Sequence, residues 1–381
     1  MGHNDRVDQS SSSTIEEPTG RANERRSLRE RTQMPRPVLA LVTLGALCVM
    51  VLSSVVLPVP YVIESPGPAI DVLGDYDKKP VLTITGAKTY PTSGELMMTT
   101  VSVSGGPGDM VTPAEVLLAW FDPSRSVMPR EMLFSPKESK QDNDLANFVQ
   151  MSSSQQESVA AALTELGIDY TEDVRVGGVR EGAPAEGTLR PGDVVLAIRG
   201  KTANDITGFQ SLAAQTIPGQ KIPMRIRRDG KEMDVQVPTE NVDGKAKMGI
   251  ALAVGYDFPF DVKISIGNVG GPSAGMMFAL SVYDELTPGP LAGKRAIAGT
   301  GTITAEGKVG PIGGIRQKMV GARDQGADYF LAPAANCDEV VGYEPTGLQV
   351  VKVATLEDSI HATEQIARTG TTDNLPTCEE K

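Results

Sequence analysis

The sequence predicts a mixed α/β (α+β) fold, interrupted by a mostly-β insertion and preceded by one transmembrane helix. Three observations carry that expectation. Val38 to Leu57 is apolar, broken only by Thr43, Gly45, Ser53 and Ser54. From Val174 onward strands are short and glycines frequent, up to about residue 242. On both sides of that stretch, runs with the period-2 alternation of strands mix with runs of helical spacing.

Residues 1–36 are polar and charged, with a Ser10–Ser13 run, and predict a disordered tail. No charge occurs between Arg36 and Glu64. About 20 helical residues match the thickness of a bilayer core, so residues 37–60 predict the membrane span, ended by Pro58 and Pro60. A cleaved signal peptide is the competing reading. Its apolar region is shorter and ends at a small-x-small site, which the sequence lacks. Arg21, Arg25, Arg26, Arg29, Arg31 and Arg36 precede the span, against Glu24 and Glu30. The positive-inside rule therefore puts the N-terminus in the cytoplasm of a single-pass cell-membrane protein, with the bulk of the chain outside. Residues 38–57 would contact membrane lipid.

Tyr61 to Pro80 is punctuated by Pro and Gly and reads as a stalk. Val81–Thr85 and Leu96–Val103 read as strands joined by a turn at Pro91–Gly94. Thr112 to Trp120 predicts a short helix, with Thr112 as cap and Pro113 in the first turn. Pro123 to Asp144 reads as a surface loop, and Ser154 to Leu166 as a helix. Met248–Val254 and Asp261–Ile266 read as strands. Ser273 to Tyr283 has helical spacing, which sets Ser273 at a strand–loop–helix junction. Ala296–Ala298, Lys308–Val309, Tyr329–Pro333 and Leu348–Val353 suggest further strands. Arg316–Gln325 suggests a helix, and residues 367–381 a C-terminal tail.

The net charge of −12 argues against a nucleic-acid partner. Two histidines, no CxxC and no HExxH argue against a protein-built metal site, and nothing points to a cofactor. Cys48 falls within the apolar span. Cys337 and Cys378 form a disulfide if the bulk of the chain is extracytoplasmic, or else remain two free thiols.

The insertion carries Gly182-Ala183-Pro184-Ala185, then Leu189-Arg190-Pro191-Gly192-Asp193-Val194-Val195-Leu196, and later Pro218-Gly219-Gln220-Lys221-Ile222-Pro223. It resembles a PDZ domain, here assigned to residues 166–242. The resemblance implies a polypeptide partner added as a strand at a sheet edge, with a C-terminal carboxylate held by backbone N–H groups. By that analogy Leu166, Gly167 and Ile168 form the carboxylate loop. The alternative is a helix C-cap followed by a strand.

The chemistry rests on Gly270-Gly271-Pro272-Ser273-Ala274-Gly275. Taken alone, this is equally a turn leading to a serine N-cap. A serine nucleophile needs a base, usually histidine. His3 lies in the tail and His361 near the far end, whereas Lys318 stands 45 residues downstream in Gly313-Gly314-Ile315-Arg316-Gln317-Lys318. With Ala298-Gly299-Thr300-Gly301-Thr302 and Lys308-Val309-Gly310-Pro311-Ile312 between them, residues 245–365 resemble the Lon proteolytic domain. The resemblance implies a Ser273–Lys318 dyad supported by Thr300, with Gly271 and Ala274 beside the developing oxyanion. It implies residues 81–165 and 243–366 as one protease domain split by the PDZ domain, and a hexameric ring. A lysine base must be neutral, so its pocket must lower its pKa by desolvation. Ile312, Ile315 and Met319 are the candidate walls.

Two positions depart from the family: Gly270 and Thr302 stand where acidic residues are usual. The phosphate-loop pattern G-x-x-x-x-G-K-[ST] is absent. The arrangement resembles the bacterial membrane-anchored PDZ–Lon proteases and implies an ATP-independent serine endopeptidase. Two other readings stay open. Gly271-Pro272-Ser273-Ala274-Gly275 also fits the G-x-S-x-G elbow of an α/β-hydrolase using His361. A PDZ-bearing membrane scaffold with an inactive protease fold is the non-enzymatic reading.

Overall fold

The computed structural model describes residues 35–136, 138–267 and 269–379. The expected tail lies, up to residue 34, outside them. The chain divides into two compact units, at Leu57/Pro58.

In the first unit, helix α1 (Arg36–Val56) starts behind Pro35 and buries no residue. It is long and apolar enough to cross a membrane. Its three hydroxyls turn back onto the helix: Thr43 donates to the Ala40 carbonyl at 2.9 Å, Ser53 to Met50 at 2.8 Å and Ser54 to Val51 at 2.7 Å. That self-satisfaction is what a polar group needs where water is absent.

The second unit begins with β1 (Tyr61–Asp71), β2 (Leu82–Thr85) and β3 (Glu95–Ser104), then α2 (Pro113–Trp120), β4 (Ser126–Pro129) and α3 (Lys140–Glu165). The insertion follows: β5 (Thr171–Val179), β6 (Val194–Ile198), α4 (Ile206–Ala214), β7 (Ile222–Arg228), β8 (Lys231–Val237) and β9 (Ile250–Asp257). The chain then returns with β10 (Asp261–Ile264), α5 (Gly275–Leu286), β11 (Ala296–Gly299), β12 (Thr302–Ile303), β13 (Val309–Gly310) and α6 (Ile315–Asp324). It closes with β14 (Tyr329–Pro333), α7 (Cys337–Val340), β15 (Gln349–Val353) and α8 (Leu356–Thr369).

A six-stranded mixed sheet, ordered β15-β14-β11-β3-β1-β4, forms the middle layer. β15, β14, β11 and β3 run parallel, while β1 and β4 join antiparallel. Period-2 alternation sends Leu96, Met98, Ile297 and Leu331 into one core with α5 and α8. It sends Met97, Ala298, Phe330 and Ala332 into another with Ile315 and Met319 of α6. The insertion is an antiparallel sheet, β8-β7-β6-β5-β9, with its own core of Val174, Val176, Ile222, Met224 and Ile226 beneath Phe209 of α4.

Several expectations need correction. Tyr61–Asp71 is not part of a stalk. It is a strand paired with β3 and β4, and a register shift between Pro66 and Ala69 absorbs the Pro-Gly-Pro. β2 and β3 do not form a hairpin, because β2 pairs with β10 from beyond the insertion. The 123–144 segment is not all loop: it holds β4 and the first residues of α3, which Ser139 caps by accepting from the Asp142 N–H at 3.1 Å. The expected 367–381 tail is packed over its described residues, with Leu375 buried and Lys352 N–H donating to the Pro376 carbonyl at 2.8 Å. Cys378 in that segment is disulfide-bonded to Cys337.

Candidate active site

Helix α5 begins at Gly275 with Ala274 as its N-cap, so the helix starts two residues after Ser273 and the serine hydroxyl is not its cap. The turn before it is held by α3. Ser154 Oγ donates to the Pro272 carbonyl at 2.9 Å, and Ser158 Oγ to the Gly275 carbonyl at 2.8 Å. On the far side, Gly301 N–H donates to the Ser273 carbonyl at 2.8 Å, and Met276 N–H to the Gly301 carbonyl at 3.0 Å. Ser273 is half-buried, and among the described residues its hydroxyl has no hydrogen-bond partner.

Lys318 lies on α6 and is 3% exposed. Its Nζ donates to Thr300 Oγ1 at 3.0 Å, and Thr300 Oγ1 donates to the Ser273 carbonyl at 3.0 Å. Thr300, fully buried, thus ties the lysine to the serine's own backbone. Burial pulls the Lys318 ammonium down from 10.5 to about 7, and the Glu64 charge opposes that fall. A lysine so placed is substantially neutral near physiological pH and has a lone pair to accept a proton.

Ser273 and Lys318 line one cavity of about 750 Å³, together with Glu64, Met98, Val101 and Ile312. Ile315 and Met319 face the sheet core instead. Ala274 is buried, and among the described residues its N–H has no partner, so it is free for an oxyanion. Gly271 does not match the donor expected of it. Its N–H faces the Asn147 carbonyl at 3.5 Å, and its φ of +86° marks it as the residue that turns the chain.

The two departures from the acidic pattern have a steric and a positional account. At Gly270 an added Cβ would sit 2.8 Å from the Asn147 Cβ of α3, so a side chain there requires the turn or α3 to shift. Thr302 lines the cavity without charge. A carboxylate that does line the cavity is Glu64 of β1, in the segment the sequence reads as a stalk. Burial raises its pKa, and the Lys318 charge lowers it. A glutamate in a strand that pairs only with distant segments left no local signal.

His361 is exposed on α8 and is not part of the cavity wall. Leu166, Gly167 and Ile168 are also not placed as expected. Their N–H groups donate to the Ala162, Thr164 and Leu163 carbonyls, so they close α3 as a C-cap with Gly167 at φ +66°. Spent on the helix, they are not available to a peptide carboxylate. Cys337 follows Asn336, whose side chain accepts from the Ile312 N–H at 3.0 Å and donates to the Ile312 carbonyl at 2.9 Å, clasping one wall of the cavity. Among the described residues, no group of His, Cys, Asp and Glu could hold a metal ion.

A family model of the Lon protease (S16) C-terminal proteolytic domain matches residues 260–363, the stretch that holds Ser273, Thr300 and Lys318. A PDZ domain model matches residues 146–239. The chain carries a Lon-type proteolytic domain and a PDZ domain. The PDZ match begins inside α3, twenty residues before the boundary read from the sequence.

Lon protease 2 of Herpetosiphon aurantiacus is 48% identical over 80 residues, which is 20% of this chain and 10% of that protein. The Lon protease of Azospirillum brasilense is 28% identical over 178 residues, 44% of this chain and 21% of that protein. The chain thus spans about a tenth to a fifth of these curated relatives. Among solved structures, the PDZ domain of an SdrC-like protein from Listeria innocua is 22% identical, with a TM-score of 0.20. That match covers 21% of this chain and 92% of the other.

Proposed function

We propose that the chain is a membrane-anchored serine endopeptidase that cleaves flexible segments of membrane or secreted polypeptides without ATP. The observation that carries this reading is the buried Lys318, drawn down to about 7, in the same cavity as an uncapped Ser273. In the proposed reaction Ser273 Oγ attacks the scissile carbonyl while Lys318 Nζ takes its proton. The Ala274 N–H receives the oxyanion, and the lysine returns the proton to the leaving amine. Water then hydrolyses the acyl-enzyme by the same exchange. Thr300 holds Nζ in place between the two steps.

The PDZ domain presents substrate to this site. The free edge of β9, beside α4, is the place for an added strand: β9 ends the sheet, and Ile250 and Leu252 share a core with Ile206 and Leu212 of α4. α3 links this domain to the nucleophile, since Leu145 and Val149 pack on Gly177 and Gly178 of β5 while Ser154 and Ser158 hold the Ser273 turn. α1 anchors the chain with its N-terminus in the cytoplasm and the protease outside, and assembly into a ring belongs to the same proposal.

The test is cleavage of an unstructured, fluorescently labelled protein without ATP. The reading expects loss of activity in Ser273→Ala and Lys318→Ala and retention in His361→Ala. A wild type inactive with and without peptides offered to the PDZ domain would favour the scaffold.

A further inference from the structure

Among the described residues, the one helix of the second unit that is apolar on its outward face is α2. A capping box fixes its start: Thr112 Oγ1 accepts from the Glu115 N–H, and the Glu115 carboxylate accepts from the Thr112 N–H at 2.7 Å. Val116 and Ala119 point inward onto Ile63 and Val111. Leu117, Leu118, Trp120 and Phe121 point outward, 53%, 68%, 67% and 81% exposed. A solvated surface helix carries polar residues on its outer face, and a helix apolar all round belongs in a core or in lipid.

The attachment of α2 to the rest of the chain selects between these. Val59 N–H donates to the Val111 carbonyl at 2.9 Å, immediately before the Thr112 cap. Arg130 N–H donates to the Pro60 carbonyl at 3.1 Å, which fixes the turn bearing the exposed Met132. Val59 follows Leu57, the end of the apolar run, by two residues, or about 7 Å of chain. The start of α2 and the Met132 turn are therefore bonded to Val59 and Pro60, the residues that directly follow the apolar run ending at Leu57. Trp and Phe are the side chains that settle at the headgroup boundary.

We propose that α2 is an interfacial helix, with Leu117, Leu118, Trp120 and Phe121 immersed in the outer surface of the lipid bilayer. The proposal rests on the reading of α1 as a membrane anchor. The occupant is lipid rather than a second copy of the chain, because the helix that bears the patch starts next to Val111, which is bonded to Val59, two residues past the apolar run. With a net charge of −12 the attachment is apolar, so an uncharged lipid surface suffices. It holds the protease body against the membrane and limits substrates to segments emerging close to it.

Trp120 is the chain's single tryptophan, so its fluorescence reports on this patch alone. The full chain is reconstituted into phosphatidylcholine vesicles, with and without bromine at defined acyl positions, and flotation after an alkaline wash measures anchoring. The expected result is retention on the vesicles, with Trp120 emission shifted to the blue and quenched at least twofold, most strongly by shallow bromines. Retention with Trp120 unquenched and open to acrylamide would overturn the interfacial helix while leaving the anchor intact. Retention with Trp120 shielded from both quenchers would overturn it in favour of a contact between copies. Release by the wash would overturn the anchor and the proposal with it.

Discussion

The two domains each bury a charged side chain, and they treat it in opposite ways. In the PDZ domain Asp193 is 2% exposed and is answered by Arg228, whose Nε and Nη2 donate to its two carboxylate oxygens at 2.7 and 2.6 Å. In the Lon-type domain Lys318 is as deeply buried, yet among the described residues its hydrogen-bond partner is a neutral hydroxyl. The paired charge organises a fold. The lysine, with no carboxylate bonded to it, gives up its proton near neutrality, which is what a general base requires. Burial is common to both, and what distinguishes them is whether a counter-charge is bonded directly: among the described residues Glu64 acts on Lys318 through its charge, without a hydrogen bond to it.

Removing the unpaired lysine breaks that comparison most severely. Lys318→Met abolishes peptidase activity, as Ser273→Ala does, and at neutral pH it stabilises the fold. The unfolded chain carries Lys318 with its ordinary value of 10.5, the folded chain at about 7. Between those values unfolding takes up a proton, so this group's penalty on stability shrinks as pH rises from 7 to 10.5. Thermal melts at pH 7 and pH 10 check this: the variant melts a few degrees higher at pH 7, and the gain narrows at pH 10.

Removing the counter-charge in the other domain gives the opposite sign. Arg228→Met leaves Asp193 buried and unpaired, a change that costs about 3–5 kcal/mol. Adding Asp193→Asn recovers part of the loss. Denaturant unfolding of the three proteins measures both effects. Thr300→Val removes the acceptor that aims Nζ and lowers kcat about 10–100-fold with the fold intact. Glu64→Gln has the smallest effect. Without the carboxylate that favours the ammonium form, Lys318 loses its proton more readily, and the acid limb of the pH–rate profile moves to lower pH.

Ser273, Thr300 and Lys318 were legible as candidates because they sit in glycine-rich runs of distinctive order, and the strands β11, β14 and β15 because they are short runs rich in apolar residues, as buried parallel strands are. β1 was not. Its Pro66-Gly67-Pro68 reads as a loop, yet it is where the lysine helix meets the sheet. A Cβ on Gly321 of α6 would stand 2.5 Å from the Gly67 carbonyl oxygen, and one on Gly67 would stand 2.8 Å from the Thr100 backbone of β3, so each glycine permits a close approach, one of the helix to β1 and one of β1 to β3. That requirement, and the strand's pairing with residues 97–104 and 126–129, are tertiary facts with no signature inside the segment. The same blindness hid Glu64. At Leu166–Ile168 the family analogy and the helix C-cap that a glycine after a helical run signals are both open in the sequence, and the cap is what the chain follows.

The most direct test of the account is the pH dependence of kcat/KM for cleavage of an unstructured polypeptide by the full chain without ATP. The account predicts activity that rises through an apparent pKa near 7, the value of the buried Lys318, and that disappears in Lys318→Ala. An acid limb near 7 that persists in an active Lys318→Ala protein would contradict it, because the proton would then be accepted by some other group.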